Sequence, residues 1–138
     1  MELARLSKEV NPRIISDEAA TRIVDKIKSF AGTPFAVASD PAAEYAFVQR
    51  VIHTIQSGGW KWTQYSEGAV SLPTSARGSG LQLRINGSRY QDFGDAAKAL
   101  ADALTQALGQ SVGWVIDPPE SPLACSPDAI QVEIYKVR

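Results

Sequence analysis

The chain has 138 residues with 44% hydrophobic and 21% charged side chains, which fits one globular domain and excludes collagen, coiled-coil rods and wholly disordered chains. Fourteen basic residues balance fifteen acidic ones, so the net charge of −1 argues against a dedicated nucleic-acid binder. One Cys, Cys125, excludes an intramolecular disulfide, and with one His, His53, no His/Cys zinc site is expected.

Residues 1–15 read as a lead-in or stalk remnant, ahead of a domain over 16–138. Asn11-Pro12 ends any helix there, because proline pushes its predecessor out of the α region. No apolar run is long enough to span a membrane, and Met1 to Arg13 lacks the apolar core of a signal peptide.

The first helix is predicted over Asp17 to Phe30, with Ser16 as N-cap, Ile23, Val24, Ile27 and Phe30 as its apolar stripe, and Gly32 as its stop. Phe35 to Ser39 is a short apolar strand of the kind covered on both faces. Asp40-Pro41 opens a second helix whose stripe is Phe47, Val48, Val51, Ile52 and Ile55; Gly58-Gly59 ends it. Trp60 to Tyr65 alternates aromatic and polar residues, as a strand with one buried face does. Residues 66–80 form the longest loop.

Leu81 to Ile85 is the next strand, Asn86-Gly87 a turn, and the segment from Gln91 or Phe93 to Gly109 a third helix. Val112 to Ile116 is a short apolar strand, and Asp117 to Pro127 holds four prolines and is irregular. Ile130 to Val137 alternates almost perfectly and reads as a strand with one apolar and one wet face, with an exposed terminal strand as the expectation. Strand–helix–strand units over 35–65 and 81–116 give a single layered α/β domain, with a mostly parallel or mixed sheet of about five strands and three helices.

Candidate sites are few. Ser39 and Asp40, with Asn86 and Arg89, follow two strands, at the edge where open α/β sheets bind ligands; together they are expected to line a shallow cleft for a small molecule or anion. The bland reading is that Asp40 caps a helix and Asn86-Gly87 makes a turn. Trp60 and Trp62 project from one face of their strand, as core under a helix or, at a sheet edge, as anchors for a partner. Arg77-Gly78-Ser79-Gly80 precedes a strand and is no phosphate loop. His53 sits beside the apolar stripe and Cys125 between prolines, with no catalytic neighbours in sequence. No catalytic, metal or cofactor set is assigned.

Phe30-Ala31-Gly32-Thr33-Pro34-Phe35, the Asp40-Pro41 helix opening, Gly59-Trp60, the Ala96 to Leu108 helix and the terminal strand together resemble a group of uncharacterised bacterial membrane-anchored proteins with a soluble α/β C-terminal domain. The Trp-rich second strand and the ending Tyr135-Lys136-Val137-Arg138 depart from that group. The resemblance implies that a membrane helix and charged stalk precede this domain. It carries no activity. The reading is a non-catalytic interaction or sensing domain, soluble in itself, attached to a membrane only through a segment upstream. Otherwise it is cytoplasmic. Its partner is an unknown protein or a second copy; no nucleic acid or cofactor is expected.

Overall fold

The computed structural model describes residues 15–39, 45–63, 80–109, 111–120 and 127–135. The lead-in, Asp40 with its Pro41 helix opening, the loop over 66–79 with Arg77, and Cys125 lie outside them.

Helix α1 spans Asp17–Ile27. The Ser16 hydroxyl accepts from the Ala19 amide at 3.0 Å, and Asp17 and Glu18 sit in the first turn, where the helix dipole favours negative charge. A 3₁₀ turn, Lys28–Phe30, tightens its end. Strand β1 is Pro34–Ser39, helix α2 is Tyr45–Ser57, and β2 is only Lys61–Trp62. Strand β3 is Gly80–Asn86, and a 3₁₀ turn, Gly87–Arg89, leads into α3, Tyr90–Leu108. Strands β4, Gly113–Asp117, and β5, Ile130–Tyr135, complete the set.

The sheet order is β2-β1-β5-β3-β4. Strand β1 runs parallel to β2 and β5, and β3 runs parallel to β4, but β3 and β5 are antiparallel. The two strand–helix–strand units therefore point in opposite directions, with the C-terminal strand between them. That corrects the expectation of an exposed terminal strand: β5 pairs on both sides and is the middle of the sheet.

Register explains the layering. Phe35 is level with Ile130, Leu83 with Val132 and Leu81 with Ile134, so these side chains share one face. They join Ile23 and Ile27 of α1, Val51 and Ile55 of α2, and Ala97, Leu100 and Leu104 of α3 in one buried cluster. Helix α1 lies against both other helices. The three helices thus form a layer on one face. On the opposite face lie Ala36, Ala38, Gln82, Arg84, Asn86, Gln131 and Glu133.

The turn before β2 is closely built. Gly59 has φ +89°, a left-handed conformation that a side chain disfavours. A Cβ at Gly58 would lie 2.5 Å from Ile27 Cγ1, so α2 ends hard against α1. The Trp60 indole N–H donates to the Ile27 carbonyl at 3.0 Å, which ties the residue before β2 to the end of α1. Trp60 also packs against Phe35, with ring centroids 6.4 Å apart.

Candidate functional site

The strand directions separate the two halves of the expected cleft. Ser39 is level with Ile134. Arg84 is level with Gln131, which sets Asn86 level with position 129 at the other end of β5. Five residues of strand, roughly 16 Å at ~3.3 Å per residue, lie between those levels. Ser39 and Asn86 end antiparallel strands at opposite edges, and no single cleft joins them.

The local chemistry agrees with that correction. Asn86 is buried, and its side-chain oxygen accepts from the Ser88 amide at 2.9 Å and the Ser88 hydroxyl at 2.7 Å. It makes the turn into α3. Arg89 donates from Nε to Asp92 at 2.8 Å and from a terminal nitrogen to the Pro127 carbonyl at 2.9 Å. Its guanidinium lies 4.4 Å from the centre of the Phe93 ring. Arg89 fastens the approach to β5 onto the start of α3.

The two indoles divide. Trp60 is 3% exposed and belongs to the core, so its reading as a partner anchor is corrected. Trp62, on the edge strand β2, is 40% exposed.

The second face of the sheet holds an ionic cluster. Arg84 on β3 reaches Asp117 on β4 at 2.8 Å and Glu133 on β5 at 3.2 Å. The Gln131 amide donates to Glu133 at 2.6 Å. Glu133 is 3% exposed, so the wet face expected of the terminal strand is instead a buried polar one. One guanidinium between two carboxylates ties three strands together, since partial burial strengthens charge-assisted hydrogen bonds. Among the described residues no group of three or more His, Cys, Asp and Glu side chains is placed to hold a metal ion.

Between α1 and α2 runs a surface groove of about 330 Å³, lined by Asp17, Thr21, Arg50, His53, Thr54 and Ser57 among others. Arg50 and the hydroxyls that line it are already engaged. Arg50 pairs with Asp17 at 2.8 Å and donates to the Ile15 carbonyl at 3.2 Å. The hydroxyls of Thr21, Thr54 and Ser57 donate to the carbonyls of Asp17, Arg50 and His53, one turn back along their helices. His53 is exposed beside hydroxyls whose hydrogens are directed into the backbone, which is not how a base activates a nucleophile.

The remaining feature is β4. It ends the sheet, opposite β2. Trp114 and Ile116 are level with Leu83 and Ile85 and so share the helix face; Val115 is level with Arg84 on the second face. Ile116 is 46% exposed and Val115 38%. The exposed ring of Tyr90 stacks on Trp114, with centroids 6.3 Å apart and planes within 8°. The strand is rigidly placed: the Val112 amide donates to the Thr105 hydroxyl at 3.0 Å, and Gly109 closes α3 in a left-handed conformation. Sequence reasoning missed this strip because an uncharged run of five residues has the same pattern in a buried strand as at an apolar edge.

No protein-family model, curated protein or solved structure matches the chain.

Proposed function

We propose that the chain is a non-catalytic protein-interaction domain that recognises its partner by strand addition at β4. The single observation behind this reading is an edge strand of five residues with exposed apolar side chains on both faces and no charge before Asp117. Edge strands usually carry charges, prolines or bulges that discourage pairing, and a strand without them is a template for another chain. The stack of Tyr90 on Trp114 adds amphipathic aromatic surface beside the strand, a composition favoured at interfaces.

A photo-reactive amino acid at Ile116, compared with the same probe at His53 in the helical groove, tests the reading in source cells. Adducts at 116 and not at 53 support it. No adduct at 116 overturns it.

The resemblance described above suggests in addition that the domain belongs to a membrane-anchored bacterial parent. No helix among the described residues is long and apolar enough to cross a membrane. Fractionation of source cells decides: a band well above 14.9 kDa in a carbonate-resistant membrane pellet supports the parent, and a soluble band near that mass overturns it.

A further inference from the structure

Strand β4 is complementary to itself. Reversed against a copy about Val115, it sets Trp114 opposite Ile116, Ile116 opposite Trp114, and Gly113 opposite Asp117. Apolar residues meet apolar residues on the helix face, Val115 meets Val115 on the second face, and each carboxylate meets a glycine. Aromatic and β-branched residues opposite one another are the pairs that stabilise antiparallel ladders. A parallel pairing in register would instead set Asp117 beside Asp117, with like charges opposed. Sliding the antiparallel pair by one residue turns matched side chains to opposite faces.

We propose that the partner is a second copy of this chain, joined by antiparallel pairing of β4 with β4 about a two-fold axis through Val115. The proposal rests on the strand-addition reading above and names its partner. The axis stands perpendicular to the sheet, which becomes ten continuous strands with the described helices α1 to α3 of both copies on one face. Such a contact is isologous and closes at two copies, because each chain uses up the longer of the two edges among the described strands. The opposite edge, β2, is two residues long and includes Lys61. A strip of five residues a side falls below the ~1,200 Å² typical of stable interfaces, so the dimer is weak, with dissociation in the micromolar range.

The axis gives the test. Residues on it face their own copies, with Cα atoms about 4.5 or 5.5 Å apart according to the hydrogen-bonding parity, and both distances suit a disulfide. In a Cys125→Ser background, Val115→Cys is expected to form a disulfide-linked dimer under mild oxidation. Gly113→Cys is not, because the two copies of position 113 are four residues out of level, roughly 13 Å. Sedimentation of the wild-type chain is expected to show a mass rising with concentration from 14.9 kDa towards twice that value, and Val115→Lys to abolish the rise. Far-ultraviolet circular dichroism and a melting curve show that the variants fold. A single mass at all concentrations up to about 1 mM, without a Val115→Cys dimer, overturns the proposal. Equal linking through positions 113 and 115 overturns the register. An adduct at 116 with a different protein, from a chain that stays monomeric, overturns self-pairing while leaving the interaction reading intact; absence of any adduct removes both.

Discussion

At one edge of the sheet β2 is two residues long, carries Lys61, and follows the buried Trp60; at the other, β4 runs five residues through Trp114, Val115 and Ile116 and stays uncharged until Asp117. Both are last strands of parallel pairs and both follow a helix. They differ in where their aromatic surface goes. Trp60 turns inward, packs on Phe35 and donates to the Ile27 carbonyl, which ties the start of β2 to α1, while Trp62 on β2 itself stays 40% exposed. Trp114 is covered only in part, by a tyrosine that is itself exposed. An indole enters a core when a backbone acceptor is within reach of its N–H; next to an open strand it builds a surface. Length matters as well: two residues offer a partner too few main-chain groups to pair with, whereas five offer a ladder.

The largest effect is expected where the β2 side is anchored. Trp60→Ala removes a buried indole and is expected to cost about 4 kcal/mol in urea-induced unfolding. Trp60→Phe keeps much of the volume but loses the indole hydrogen bond to the Ile27 carbonyl, for about 1 kcal/mol. Equal losses in the two variants would mean that the hydrogen bond, and not the packing, holds this side. On the β4 side the anchor is Arg84. Arg84→Ala leaves Asp117 and Glu133 facing the place of a missing cation and is expected to cost about 3 kcal/mol. Glu133→Gln in the same chain should recover part of that loss, and a double-mutant cycle measures how much.

Gly58→Ala drives a methyl group against Ile27 and is expected to cost about 2 kcal/mol; a neutral result would mean that the Ile27 side chain swings aside. The smallest effects belong to the exposed edge residues. Val115→Lys and Trp62→Lys should each change stability by about 0.5 kcal/mol or less. Only Val115→Lys is expected to change the sedimenting mass. If both did, or Trp62→Lys alone, the contrast between the edges would be lost.

The outlines of the helices were legible because their signals are local. Ser16 caps α1, Gly109 stops α3, and the stripes of Ile23 with Ile27 and of Leu100 with Leu104 point each helix inward. Strand β1 reads as covered on both faces, and Phe35, Ala36 and Ala38 are indeed buried. The candidate sites were less legible. Arg89 reads as an anion receptor until Pro127, thirty-eight residues further on, is found to accept its hydrogen bond. Glu133 reads as solvated because a glutamate in an alternating strand nearly always is; Arg84 and Gln131 beside it help to explain its burial.

Composition and periodicity by themselves determined a single layered α/β domain with strand–helix–strand units, since each depends on residues within a few turns of one another. The direction of one unit relative to the other is not encoded that way. It was decided when the C-terminal strand entered between β1 and β3, parallel to one and antiparallel to the other. That insertion set Ser39 and Asn86 at opposite ends of the sheet, turned β5 into its middle, and left β4 as the longer edge among the described strands. Edge and centre are properties of pairing between distant segments, and an apolar strand has the same sequence in either place.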